Sequence, residues 1–358
     1  MPVVDADAHI DETDETWEYM DEEFVKYKPV TVMQTFGESP PILPWGYNRY
    51  WFVDGKIRVR RYRDDVRTAS TTETRELLDV QARLAQLDEL GIDVQVIYPT
   101  SFLMAMSEKP EVEAALRKSY NRWMAKKWRE SNNRLRWVAL LPMTGVWQET
   151  FDEMRFAKEN GACGILKKGI ECGDRAAGDS YFFPLYQEAK DLDMPVCLHV
   201  GTSNPNLTDA DMRALSLYHF TLPVLDAFLS LVMADVPDKF PGLRFGFIEA
   251  MSSWVPYLMA ELKARETRTK WSFNFDLKSD LLKDCNFYVA CQTVEDLPYL
   301  MKQVGEDNLM AGTDYSHADS SAEIETLSLI HQMGESASIS KEAARKIRDD
   351  NPTRFYGL

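Results

Sequence analysis

The chain has 358 residues, 45% of them hydrophobic and 27% charged, which is ordinary globular usage and excludes general disorder or a fibrous repeat. Its 57 acidic and 41 basic residues give a formal net charge of −16, which opposes binding to nucleic acid or to an anionic lipid surface. The five cysteines (Cys163, Cys172, Cys197, Cys285, Cys291) include no CxxC pair, and no basic leader or long apolar run is seen, so reduced thiols, no membrane span and a cytoplasmic protein are expected.

In chain order, a compact apolar run at 3–10 carries Asp5-Ala6-Asp7-Ala8-His9 and reads as a first strand. The stretch 11–74 that follows is too long for an ordinary connection. It contains Pro40, Pro41, Pro44, Trp45, Tyr47, Tyr50, Trp51 and Phe52, then Arg58, Arg60, Arg61 and Arg63. Leu77, Val80, Leu84, Leu87 and Leu90 share one helical face, with Gly91 as C-cap. Further strand-like runs lie at 94–98, 137–142, 164–167, 196–200, 244–249, 286–291 and 309–314, separated by amphipathic stretches. Eight repeated βα units predict one domain over 1–358, a (β/α)8 TIM barrel whose long insertion 11–74 emerges on the catalytic face as a lid or pocket wall. A second irregular stretch, 201–217, falls on the same face. Near the end, Ser340 is expected to cap a short helix that stops before Asn351-Pro352, leaving a tail against the barrel.

Of the five histidines, His9 ends the first run and His199 the fifth, while Asp314 ends the eighth. Asp7 and His9, two apart on a strand, point the same way, so Asp7, His9, His199 and Asp314 are expected to converge at the barrel mouth around one divalent ion, zinc or manganese. Glu249 closes the sixth run, where a buried carboxylate needs a compensating cation or donor; it is expected to be a further ligand, an acid/base group, or half of a structural salt bridge. His317 lies in the last loop as a candidate donor to substrate or orienter of a ligand. Trp45, Tyr47, Trp51 and Arg58 are candidate substrate contacts, the indole and phenol rings suiting a planar compound. Lys167 and Lys168 end the fourth run, where a contact to an anion, exposure to solvent, or a metal-bridging carbamate are the alternatives. No GxGxxG, P-loop or GxSxG pattern occurs.

The first-strand DADAH, the LHVG at His199, the FPGLRFGFIEAMSSWVPYLM around Glu249, the NLMAGTDYSHAD around Asp314 and the closing NPTRFYGL together resemble, in their order along nearly the whole chain, the metal-dependent amidohydrolase-related barrels. That group includes aminocarboxymuconate semialdehyde decarboxylase and the resorcylate-type benzoate decarboxylases. The resemblance implies a metal-dependent enzyme acting on a small molecule, and a homodimer or homotetramer. Asp7-x-His9 stands where many members carry His-x-His and is closer to the Glu-x-His of the resorcylate type. Glu249 stands where those decarboxylases commonly place a catalytic histidine. Three readings follow: non-oxidative decarboxylation of a carboxylated aromatic or unsaturated compound; hydrolysis of an amide, lactone or C–C bond by a metal-activated water; and a barrel without catalysis.

Overall fold

The computed structural model describes residues 1–33, 49–60, 65–143, 146–202, 217, 220–268, 275, 277–318 and 320–358. Eight parallel strands, β1 (Val4–Ile10), β2 (Val94–Pro99), β3 (Leu135–Ala139), β4 (Ala162–Lys168), β5 (Val196–His199), β6 (Phe245–Ile248), β7 (Phe287–Cys291) and β8 (Leu309–Ala311), are hydrogen-bonded in that order. The main helices between and after them are α1 (Val80–Leu90), α2 (Pro110–Glu130), α3 (Trp147–Glu159), α4 (Phe183–Asp191), α5 (Leu222–Met233), α6 (Val255–Arg268), α7 (Leu297–Val304) and α8 (Thr326–Glu335). This is the expected α/β TIM-barrel fold, and among the described residues no helix is long and apolar enough to cross a membrane.

The sheet closes where β8 meets β1, through an Ala8–Tyr315 bridge and through Asp314 N donating to Asp7 O (2.8 Å) and His9 N to Tyr315 O (2.9 Å). Gly312 makes that approach possible, because a Cβ there would lie 2.4 Å from Asp7 Cβ and 2.6 Å from Asp7 N. Both neighbours belong to a strand that cannot retreat without opening the seam. Gly312→Ala is therefore expected to lower unfolding stability by about 3 kcal/mol or more, measured by urea denaturation.

Several boundaries differ from the sequence expectation. Leu77 lies outside α1, in a left-handed conformation (φ 46°), because Asp79 is the N-cap and accepts from Ala82 N. Gly91 ends the helix as expected (φ 68°). The third strand is Leu135–Ala139 rather than 137–142, and the eighth stops at Ala311, three residues before Asp314. Ser340 caps Lys341–Arg345 by accepting from Ala343 N, but the chain stays helical through Asn351–Tyr356, with Pro352 in that helix's first turn, where a missing N–H costs nothing. The tail does pack on the barrel: Tyr356 OH donates to Ala6 O (2.6 Å), and Asn351 Nδ2 donates to Leu309 O (2.6 Å).

The insertion holds a three-stranded antiparallel sheet, Val30–Met33, Arg49–Val53 and Lys56–Val59. Asp54 and Gly55, both at positive φ, turn the second strand into the third.

Candidate metal centre and its surroundings

Asp7 and His9 leave β1 on the same side, His199 is the last residue of β5, Glu249 follows β6, and Asp314 follows β8. Around His9 Nε2 lie Asp7 Oδ1 at 3.5 Å, Asp314 Oδ1 at 3.5 Å and Glu249 Oε2 at 3.7 Å. His199 Nε2 lies 3.5 Å from Asp7 Oδ1 and 3.3 Å from Glu249 Oε2. The donor atoms of Asp7, His9, His199 and Glu249 all fall within 4.8 Å of one another, as do those of His9, Glu249, Asp314 and His317. The four residues expected from the sequence thus gather about His9, and Glu249 joins both groups. All are buried or nearly so: His9 and His199 are fully enclosed, and Asp7, Asp314 and His317 are buried.

The donor chemistry fits a divalent cation. His9 Nδ1 faces the Pro99 carbonyl and His199 Nδ1 the Val200 carbonyl, each at 3.0 Å. A carbonyl only accepts, so both protons sit on Nδ1 and both Nε2 lone pairs face the centre. His199 Nε2 and Asp7 Oδ1 have no hydrogen-bond partner among the described residues. Bonds of about 2.1 Å to one ion place neighbouring ligand atoms roughly 3.0–3.4 Å apart, close to the separations found. Three carboxylates sharing a buried site also repel one another unless a cation joins them. Burial pushes the Asp7 carboxyl up, but His199 and His9 beside it hold it well below the usual carboxylate range. Burial likewise lowers His199, and Asp7 with Glu249 outweighs it, leaving the imidazole raised. Glu249 (φ 60°), Asp314 (φ 51°) and Ser316 (φ 78°) all have left-handed backbones, a strain that concentrates at functional sites.

His317 stacks on His9 (ring centroids 4.0 Å apart), with Nδ1 2.7 Å from Asp314 Oδ1 and Nε2 3.1 Å from Thr100 Oγ1. Ser321 Oγ lies 2.9 Å from both Glu249 Oε1 and Asp314 Oδ2. Two further carboxylates, not singled out from the sequence, set the loops. Glu295 accepts from the backbone N–H and hydroxyl groups of Ser252 and Ser253 and from Gln292 N, which fixes the chain after Glu249. Glu12 accepts from Thr100 N (3.0 Å), Ser101 N and Ser101 Oγ (2.7 Å), which fixes the turn carrying the partner of His317.

Burial pushes the Glu12 carboxyl up to about 7 from its usual 4.5, against the pull of the Ser101 donors. An acid that holds its proton more tightly folded than unfolded contributes stability at low pH, and loses it as pH rises from the unfolded value through the folded one. Glu12→Gln removes that loss. Its unfolding free energy relative to the native protein is expected to shift in its favour by about 3 kcal/mol between pH 4 and pH 8, read by denaturation at each pH.

Trp51 is fully buried, its Nε1 donating to Ser101 Oγ (3.3 Å), with Trp17 edge-on at 5.5 Å and the Arg60 guanidinium 4.2 Å above its ring. Arg58 is buried, with Nε donating to Met106 O (3.3 Å). Both therefore pack the insertion onto the loop after β2. Trp45 and Tyr47 lie outside the described residues, as do His219 and most of 201–217. His331 is exposed on α8. Lys168 Nζ donates to Phe102 O, and burial brings it down to about 8; Lys167 Nζ donates to Lys168 O (2.9 Å) and pairs with Glu171 at 3.5 Å. All five cysteines are free thiols.

Solved structures share this fold. An amidohydrolase from Mycobacterium avium subsp. paratuberculosis superposes with a TM-score of 0.76 at 19% identity, over 99% of both chains. A dihydroxybenzoic acid decarboxylase from Polaromonas sp., holding manganese and 2-nitroresorcinol, gives 0.66 at 17% identity, over 100% of this chain and 97% of that one. A 5-carboxyvanillate decarboxylase from Novosphingobium aromaticivorans, holding manganese and 4-hydroxy-3-methoxy-5-nitrobenzoic acid, gives 0.63 at 19% identity, over 80% and 82%. The amidohydrolase family model matches residues 4–358, so the chain belongs to the amidohydrolase family.

Proposed function

We propose that this amidohydrolase-family chain is a divalent-metal-dependent, non-oxidative decarboxylase of a small carboxylated aromatic or unsaturated compound. The observation that carries the reading is the meeting of two imidazole Nε2 atoms with the Asp7, Glu249 and Asp314 carboxylates, beside a His317 held between Asp314 and Thr100. The decarboxylases among structures of the same fold support the loss of carbon dioxide.

Asp7, His9, His199 and Asp314, with Glu249 as a fifth donor, would hold manganese or zinc. Such an ion supplies Lewis acidity and a template for the substrate carboxylate and an adjacent oxygen. His317 is the acid: its Nδ1 lies 2.7 Å from Asp314 Oδ1, and the proton leaves from Nε2, on the Thr100 side. It passes to the carbon that bears the carboxylate; the bond between them then breaks and its electron pair returns to the ring or double bond as carbon dioxide departs. Glu249, tied to Ser321, either completes the ligand set or takes part in proton transfer. Of the insertion's candidate substrate contacts, Trp45 and Tyr47 would bound the planar part of the substrate, whereas Trp51 and Arg58 are taken up in packing the insertion onto the loop after β2.

Glu249 also favours a second reading, hydrolysis of an amide, lactone or C–C bond, because its Oε2 sits among the donors where it can take a proton from water. Incubation of the manganese-loaded protein with hydroxybenzoates and unsaturated diacids in 18O-labelled water separates the two. Decarboxylation releases carbon dioxide and leaves the organic product unlabelled. Label in the organic product without release of carbon dioxide overturns the first reading.

A further inference from the structure

Beneath the carboxylates runs a buried chain of bonds that the proposed reaction does not use. Arg83, on α1, is fully enclosed. Its Nε donates to Gln95 Oε1 (2.8 Å), Nη1 to Thr74 O (3.0 Å) and Nη2 to His9 O (3.2 Å), while its guanidinium lies 3.4 Å from the centre of the Tyr315 ring. Gln95 passes the link on, Nε2 donating to Asp5 Oδ2 (2.8 Å). Asp5 in turn accepts from Thr313 N (2.8 Å) and Thr313 Oγ1 (2.6 Å), on the far side of the seam. The two ends of this chain reach the ligands' backbone: Arg83 at the His9 carbonyl, and Asp5 at Asp7 N (3.4 Å) and at Thr313. His9 is held at its carbonyl by Arg83 and at its N–H by Tyr315 O; Asp7 O accepts from Asp314 N; and Thr313 precedes Asp314.

Burying a guanidinium whose polar partners are an amide and two carbonyls is costly, and a hydrocarbon of similar volume would fill the space more cheaply. What a hydrocarbon lacks is direction. The fork fixes α1, β1 and β2 at three angles, and through Asp5 it fixes the β8 end as well. The geometry points to Arg83 as a positioning residue for the metal centre, acting through Gln95 and Asp5 to set Asp7, His9 and Asp314 at ligand spacing. This inference rests on the metal reading above.

The test is calorimetric titration of Mn2+ into metal-free protein, with melting temperature measured in parallel. Arg83→Lys keeps the charge and loses the fork; it is expected to raise the Mn2+ dissociation constant tenfold or more, the cost typical of removing an outer partner of a metal site. The control is Tyr356→Phe, which deletes the buried bonds to Ala6 O on β1 and to Tyr98 OH on β2 without touching a ligand. It is expected to lower the melting temperature and leave the dissociation constant within twofold. Should Arg83→Lys fail to fold, Gln95→Met breaks the same link and is expected to weaken Mn2+ likewise. Native affinity in the Arg83 or Gln95 variant, or equal weakening in Tyr356→Phe at a matched loss of melting temperature, overturns the inference. If the native protein binds neither Mn2+ nor Zn2+, the metal reading itself fails, and this inference with it.

Discussion

Replacing His199 by alanine is expected to abolish tight binding of Mn2+ or Zn2+ and to cut turnover by about 10^3-fold or more, the equivalent of several kcal/mol of charge stabilisation. His199 supplies one of two imidazole donors, its Nδ1 already committed to the Val200 carbonyl and its Nε2 facing Asp7 Oδ1 and Glu249 Oε2. The remaining His317 imidazole is held between Asp314 and Thr100 rather than beside Asp7, and two acids that had shared an imidazole now face each other. Burial then raises Asp7 with less to oppose it, since His199 is the stronger of the two histidines holding it down. The loss of affinity should exceed the 10–100-fold typical of outer partners. Metal content of the purified variant and its Mn2+ titration check this; a variant retaining one equivalent of metal at native affinity contradicts it.

His317→Gln is the complementary case. The ring stacks on His9 but sits to one side of the Asp7–His199 pair, between Asp314 and Thr100. If it delivers the proton, its loss removes a general acid and lowers kcat by about 10^2–10^4-fold, while metal content stays within about twofold of native because the donors of Asp7, His9, His199 and Glu249 remain. Single-turnover release of carbon dioxide, with metal measured on the same sample, reads both. A variant that loses metal and activity together makes His317 a ligand rather than the acid. In that case proton transfer passes to Glu249.

The barrel and its centre were legible because both follow from short periodic signals. Strands end where apolar runs end, and in this fold strand ends face one opening, so His9, His199 and Asp314 are recognisable from position alone. Glu249 was visible for the same reason, but its role was not, because ligand and acid differ by an ångström or two rather than by residue type. The insertion sheet was missed although Asp54-Gly55 between RYWFV and KIRV is a two-residue hairpin signal. The hairpin lies just beyond Pro40, Pro41 and Pro44. Arg83, Gln95, Glu12 and Glu295 carried no signal at all. Each looks like an ordinary polar residue on a helix, strand or loop, and each is buried only because segments far apart in the chain pack over it. Leu77 failed in the other direction: it fits the helical face by spacing, yet Asp79 offers a better N-cap, and local capping overrode periodicity.

The most direct measurement is an anomalous-difference map, collected at the manganese absorption edge, from crystals of the protein grown with Mn2+. The expected result is one strong peak at the open end of the barrel, about 2.0–2.3 Å from Asp7 Oδ1, His9 Nε2 and His199 Nε2, with Glu249 or Asp314 completing the shell. No peak there, or a peak bound elsewhere while these side chains pair with one another, contradicts it.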